Sequence, residues 1–106
     1  MITYVLVLAL VLLCIGAPAL AQERSALIAR GKQYFMDQGC YGCHTLGKTG
    51  TPIAPDLTDI GSRYPQSYLA DWLRDPSAQK PTAHMPKIEL TDEEVRALAA
   101  YLASLR

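Results

Sequence analysis

The sequence has no excess charge of either sign and very little cysteine. Ten basic and ten acidic residues give a formal net charge of zero, which argues against a nucleic-acid partner because no basic surface collects phosphates. Only three cysteines are present, and two of them, Cys40 and Cys43, are too close together for a disulfide that closes a large loop. Internal repeats, low-complexity tracts and convincing strand patterns are also lacking, so we expect one small helical domain.

The first 21 residues carry no charge, which sets them apart from the rest of the chain. Residues 5–16, VLVLALVLLCIG, form an apolar run that is short for a membrane span. Pro18 is expected to break a helix. Ala19-Leu20-Ala21 then matches the A-x-A pattern of a signal-peptidase site.

We therefore predict a secretory signal peptide at residues 1–21 and a mature, periplasmic domain at residues 22–106. Cys14 is interpreted as an apolar filler of this leader. The residues before the apolar run include no Lys or Arg, so the alternative is an uncleaved anchor that holds the domain on the periplasmic side of the membrane. If the leader is removed, a domain this small needs a staple, and with so little cysteine a bound cofactor is the natural one.

Three helices are predicted in the remaining sequence. The first runs from Ser25, its N-cap, to Gln38 and stops at Gly39; the second begins near Pro65 and ends at Asp75-Pro76; the third opens with the capping box Thr91-Asp92-Glu93-Glu94. Apolar residues recur at helical spacing in all three. Between them lie loops rich in Gly and Pro, at residues 45–63 and 76–90. We expect an all-α domain whose long loops hold a functional element.

The segment GCYGCHTLGKT, residues 39–49, satisfies two motifs at once. Residues 40–44 are C-x-x-C-H, the attachment pattern of a c-type haem. Residues 42–49 fit the phosphate-binding P-loop, but that loop needs a strand before it and a helix after its lysine. Here the preceding residues end a helix and the following ones contain two prolines. The P-loop match is therefore interpreted as accidental.

Two other uses of these cysteines fit poorly. A thioredoxin-like C-x-x-C needs a βαβ setting that this sequence lacks. A zinc site could be drawn from Cys40, Cys43, His44 and His84, but adjacent Cys43 and His44 point apart and the spacing matches none of the usual zinc pairs.

The haem interpretation explains the spacing of the motif. Two cysteines three positions apart on a tight turn place both sulfurs on one side, where they can add to two vinyl groups of one porphyrin edge. His44 then supplies an axial ligand from the next position. For the second axial ligand, the neighbours His84 and Met85 are the candidates, and we favour Met85 because Pro86 stiffens its loop. His84 is expected at the surface, and Met36, too near the haem turn, in the core.

These motifs resemble the class I cytochromes c, especially the small single-haem bacterial ones, over nearly all of residues 25–106. The early haem motif, the late Met-Pro and the closing helix occur in the family's order. Gly31 and Phe35 resemble the first-helix pair that packs on the last helix, and Leu98 and Tyr101 resemble its partners. The resemblance implies a small cytochrome c fold, with three main helices and long loops around one covalently bound haem c.

The same resemblance implies three further cofactor-binding residues. Ala54-Pro55-Asp56-Leu57 is similar to the family's Gly-Pro-x-Leu loop, with alanine at the usual glycine, so the Pro55 carbonyl is expected to accept the other ring N–H of His44. Arg63 is similar to the family's arginine that meets a haem propionate. Trp72 is expected either to do the same through its indole N–H or to pack in the core.

The function implied is electron transfer by a monomeric carrier, not an enzyme, between donor and acceptor protein complexes outside the cytoplasm. Docking would use a mostly uncharged patch with weak steering by Lys48, Lys80 and Lys87. One alternative is a haem-containing electron-transfer subunit of a larger oxidoreductase. Another is a haem enzyme or gas sensor with a displaceable sixth ligand, against which the early haem motif argues.

Overall fold

The computed structural model describes residues 2–106, with side chains described throughout except those of residue 2 and residues 7–17. Cys14, interpreted above as a filler, lies among the side chains outside that description. No helix within the described residues combines the length and the apolar character needed to cross a membrane.

The first helix, α1, spans Ile2–Asp37 and contains Pro18 in its interior. The prediction that this helix begins at Ser25 is wrong, and so is the prediction that Pro18 interrupts it. A proline in a helix removes one backbone hydrogen bond, whereas the alanines and leucines around it have the highest helix propensities. No Gly or Pro stands between Pro18 and Ser25 to end the helix.

Gly39 ends the first helix, as predicted. It adopts a left-handed conformation with a φ of 74°, which a residue without Cβ reaches at little cost. A single 3₁₀ turn, Cys40–Gly42, follows immediately. Two short antiparallel strands come next, β1 (Thr45–Leu46) and β2 (Thr49–Gly50). They are too short for an alternating pattern to reveal, which is why the sequence predicted no strand.

The second predicted helix is confirmed to within one residue at each end. It is α3, Gln66–Arg74, with Pro65 as its N-cap. One-turn helices flank it on both sides: α2, Ile60–Arg63, and α4, Pro76–Gln79. α2 packs closely on the end of the last helix, because a Cβ at Gly61 would lie 2.6 Å from the Ala103 carbonyl carbon.

The last helix, α5, spans Asp92–Ala103 and begins with the predicted capping box. The Thr91 hydroxyl accepts from the Glu94 backbone N–H, and the Glu94 carboxylate accepts from the Thr91 N–H, both at 3.1 Å. These bonds satisfy two backbone donors that the helix itself cannot pair. They also hold the pKa of Glu94 below its ordinary range.

The core lies where α1, α3 and α5 meet. Its buried side chains include Phe35, Leu69, Leu73, Val95, Leu98, Tyr101 and Leu102. α1 crosses α5 at Gly31, where a Cβ would lie 2.6 Å from the Cβ of Tyr101, so only glycine allows this approach. Met36, predicted to fill the core, is 46% exposed, because it lies on the outer face of α1 next to buried Phe35.

Polar contacts along the edge of this crossing fix the two helices in register. The Tyr34 hydroxyl donates to the Glu93 carboxylate at 2.6 Å, and Arg30 forms an ion pair with the same carboxylate at 3.1 Å. Farther along, the Gln38 amide donates to Glu94 at 2.9 Å. The end of α1, from which the Cys40 turn departs, is thereby tied to the start of α5.

Candidate functional site

The C-x-x-C-H segment forms a compact turn at the end of α1. The Cys40 carbonyl accepts two backbone hydrogen bonds, from Cys43 at 3.2 Å and from His44 at 3.0 Å. The Cys43 carbonyl in turn accepts from Ile53 at 3.2 Å and from Ala54 at 2.7 Å. The motif is therefore held by its own turn and by the loop that precedes Pro55.

The ring of His44 is oriented by a backbone carbonyl. Its Nδ1 lies 2.7 Å from the carbonyl oxygen of Pro55. A carbonyl oxygen can only accept, so Nδ1 carries the hydrogen and Nε2 keeps its lone pair. The structure thus shows the contact that the family resemblance implied, and it leaves the second ring nitrogen available to a metal.

The two cysteines are free thiols in different surroundings. Cys40 is half-buried and packs against the core, whereas Cys43 is exposed. Burial raises the pKa of the Cys40 thiol, with a smaller contribution from neighbouring Cys43. They are not paired as a disulfide, and both border the cavity described next.

A cavity of about 780 Å³ lies beside this turn. Its walls come from the end of α1, from α3, from α5 and from the two long loops. All seven predicted cofactor-binding residues line it: Cys40, Cys43, His44, Pro55, Arg63, Trp72 and Met85. Residues that are 11 to 45 positions apart in the sequence, as His44 is from Pro55 and Cys40 from Met85, therefore converge on one space.

Met85 is half-buried in the wall of the cavity and packs against the core. The indole N–H of Trp72 points at its sulfur, with 3.2 Å between Nε1 and Sδ. Of the two roles expected for Trp72, neither includes this contact. The sequence gives no indication of it, because the two residues lie on different elements, α3 and the loop before α5.

Arg63 lies at the edge of the cavity on α2. Its guanidinium donates to the backbone carbonyl of Asp56 at 3.1 Å and forms an ion pair with Asp59 at 3.3 Å. His84 is exposed, as predicted, although it borders the cavity. Lys48, Lys80 and Lys87 are exposed as well, which is where solvent-facing steering charges have to be.

Two groups of residues at the site were not predicted from the sequence. Tyr64, Tyr68 and Trp72 form a row of aromatic rings along the cavity wall, with centroid separations of 4.8 and 6.3 Å. Their spacing of four residues could have indicated one helix face. The second group is Thr45, Asp56 and Thr58, whose side chains hydrogen-bond one another below Pro55. No spacing rule connects them.

These residues fit a covalently held haem. Two free thiols, an imidazole with a free Nε2 and a thioether border one cavity, and the volume is within the range of cofactor sites. Most of the remaining lining is apolar, including Phe35, Leu69, Leu73, Leu98 and Leu102. Such a lining suits a porphyrin ring, which is flat and largely apolar.

The competing motif interpretations can also be compared with the structure. Residues 42–49, which match the P-loop pattern, form a turn and a hairpin, and Thr49 lies in β2 rather than at the start of a helix. The rejection of a P-loop is confirmed. Among the described side chains, no group of three or more His, Cys, Asp or Glu residues is placed to hold a metal ion.

Comparison with known proteins connects this site to one family. The family model described as cytochrome c matches residues 28–106. Cytochrome c oxidase subunit 2 of Alkalihalophilus pseudofirmus is 36% identical over 101 residues, which cover 86% of this chain and 30% of that protein. A nitric oxide reductase subunit from Cereibacter sphaeroides is 32% identical over 94 residues, covering 80% of this chain and 61% of that protein.

A third relative, the nitric oxide reductase subunit of the same name from Paracoccus denitrificans, is 33% identical over 84 residues, covering 71% of this chain and 56% of that protein. The chain thus spans between about a third and three fifths of the length of these relatives. The family match includes the haem-motif turn, the Met85 loop and all of α5. With this match and a fold of the expected class, the chain belongs to the cytochrome c family.

Proposed function

We propose that this protein carries electrons through a single haem c between respiratory or dehydrogenase complexes outside the cytoplasm. Membership of the cytochrome c family implies a covalently bound haem c. In the proposal, Cys40 and Cys43 form the thioether bonds, and His44 and Met85 are the axial ligands. The observation that carries it is the convergence of these four side chains on one cavity.

The proposed ligands suit a carrier better than a catalyst. A bound haem c supplies an iron that cycles between two oxidation states. His44 is held by Pro55, and Met85 by its packing and by Trp72, so neither side chain has to move when the charge changes. A nitrogen and a thioether ligand in an apolar cavity both favour the reduced form and raise the potential.

Electrons are proposed to enter and leave near the exposed end of the haem motif. Cys43 is exposed there, and Ile53 beside it is 74% exposed. An uncharged docking patch of this kind agrees with the zero net charge of the chain. Exposed Lys48, Lys80 and Lys87 would add weak steering of a negatively charged partner.

The direct experiment is denaturing mass analysis of the exported protein, combined with a pyridine haemochrome spectrum. We expect one haem c per chain, attached through both thiols, and a reversible one-electron oxidation. A polypeptide of apoprotein mass with two free thiols after normal maturation would overturn the proposal. The same mass locates the N-terminus, for which we propose removal of residues 1–21 in the periplasm.

A role within a larger oxidoreductase complex is the second candidate. It is favoured by the relatives, whose names are those of oxidase and nitric oxide reductase subunits. It uses the same haem chemistry and differs in the partner. Purification from the native membrane and periplasm separates the two: a stoichiometric partner supports a subunit, and a monomer in the soluble fraction supports a carrier.

A further inference from the structure

The loop that carries Pro55 is fastened to the haem-motif segment by a short ladder of contacts. Three of them join residues eleven positions apart: His44 with Pro55, Thr45 with Asp56, and Gly47 with Thr58. The backbone N–H of Leu57 adds a fourth bond, to the Thr45 carbonyl at 2.9 Å. The hydrogen bond to His44 is thus the first step of a continuous ladder.

Asp56 is the centre of this ladder. Its Oδ1 accepts from the Thr45 hydroxyl at 2.6 Å and from the Thr58 hydroxyl at 2.9 Å. The Thr58 hydroxyl in turn accepts from the backbone N–H of Gly47 at 2.8 Å. Bonds from hydroxyls to a charged carboxylate are among the stronger hydrogen bonds in proteins.

The position of these residues in the sequence gives the ladder its importance. Thr45 directly follows His44, and Asp56 directly follows Pro55. A bond between the second pair therefore fixes the distance between the backbones that carry the first pair. Since a hydrogen bond weakens steeply with distance and angle, the second pair controls the strength of the first.

We propose that Thr45 and Asp56 form a clamp that positions the Pro55 carbonyl against the Nδ1–H of His44 and so sets how strongly Nε2 donates to iron. Both are positioning residues, because neither has to touch the cofactor. The proposal rests on His44 being an axial ligand, as proposed above. Metal-bound histidines are known to respond to such outer partners, which raise the basicity of the ring.

Charge around Asp56 is consistent with a permanently ionised clamp. Bonds from the Thr45 hydroxyl, then from Thr58, hold the pKa of the Asp56 carboxyl below its ordinary value, and Arg63 contributes in the same direction. Arg63 also donates to the Asp56 backbone carbonyl at 3.1 Å. The carboxylate is therefore held both by its side chain and by its backbone.

The test is a Thr45→Val substitution in the exported holoprotein, which removes the hydroxyl with little change of shape or charge. Thr49→Val is the matched control, because Thr49 lies in the opposite strand of the same hairpin and is exposed. Two quantities are measured: the midpoint potential, and the hydrogen-exchange rate of the His44 Nδ1–H by NMR.

For Thr45→Val we expect a higher potential, with the ratio of ferrous to ferric protein at fixed ambient potential changed about threefold, and faster Nδ1–H exchange. Thr49→Val should match the wild type, and Thr45→Ser should restore it. If Thr45→Val does not mature, Asp56→Asn takes its place and is judged by Nδ1–H exchange. Wild-type values in a haem-loaded Thr45→Val protein would overturn the clamp alone, whereas a wild-type protein without haem c would overturn the proposed function and the clamp together.

Discussion

The indole N–H of Trp72 lies 3.2 Å from the sulfur of Met85 and donates to it. Thioether sulfur is a weak acceptor, so this bond directs the methionine more than it stabilises the fold. It joins the middle of the cavity wall, on α3, to the loop before α5. Trp72 is therefore placed to control how Met85 presents its sulfur to the cavity.

The first prediction concerns this bond. Trp72→Phe keeps an aromatic ring and removes the donor, so Met85 should be displaced more easily by an external ligand. We expect added imidazole to replace the methionine at about one third of the concentration that the wild type needs. Loss of the weak far-red absorption band on titration measures the replacement.

The matched control for that experiment is Tyr68→Phe. Tyr68 belongs to the same row of rings as Trp72, with 6.3 Å between their centroids. Its substitution should leave the imidazole titration unchanged. Equal titrations for Trp72→Phe and wild type would contradict the donor role, and a changed potential with an intact far-red band would instead support the contact with a propionate.

The second prediction tests the axial methionine. Met85→Ala should abolish the far-red band and lower the midpoint potential, because the thioether favours ferrous iron. Met36→Ala serves as the control, since Met36 is 46% exposed on the other side of the haem turn. An unchanged spectrum for Met85→Ala would remove Met85 from the ligand set and favour the sensor or enzyme alternative.

The third prediction concerns the crossing of α1 and α5. Gly31→Ala places a Cβ 2.6 Å from that of Tyr101 and closer still to the Ala97 carbonyl oxygen, so the helices must separate. We expect a loss of about 1–3 kcal/mol in the free energy of unfolding. Denaturant unfolding of the holoprotein measures it, and Lys32→Ala, on the exposed side of the same helix, should change stability by less than about 0.5 kcal/mol.

The fourth prediction is a pH dependence at the start of α5. The folded pKa of Glu94 is lowered by bonds from Thr91, and next by Gln38. A lowered pKa means that the stabilisation is complete above the unfolded value, about 4.3, and is lost as the pH falls through the folded value. Glu94→Gln should therefore be less stable than the wild type at pH 7, and the difference should shrink below about pH 4.

Thermal unfolding at a series of pH values checks this dependence. Glu89→Gln is a suitable control, because Glu89 is exposed and precedes the cap. A difference between Glu94→Gln and wild type that stays constant from pH 7 to pH 3 would contradict the role of the carboxylate. Thr91→Ala should cost about 1 kcal/mol at neutral pH, since it removes the other half of the box.

Features that depend on near neighbours in the sequence could be predicted. The capping box at Thr91 and Glu94 and the stop at Gly39 are local, because a few residues decide each of them. The haem motif is local as well, since its chemistry requires thiols and imidazole on one turn. The bond of His44 to Pro55 was implied by the family resemblance alone.

Other features depend on contacts that the sequence does not display. The start of α1 was placed at Ser25 because a good cap stands there, but a cap residue begins a helix only if the preceding residues are not already helical. The direction of the Trp72 indole and the ladder at Asp56 are tertiary contacts between loops and helices. The position of Met36 was missed because one step along a helix turns a side chain by about 100°.

The backbone N–H of Gly61 donates to the carbonyl of Leu105 at 2.7 Å, next to the last residue of the chain, Arg106. The one-turn helix that carries Arg63 to the cavity rim is thereby tethered to the carboxyl-terminal tail. Trimming that tail, or joining an affinity tag to it without a spacer, would loosen the rim from a distance. Biochemical work on this protein is best done with the tail left native.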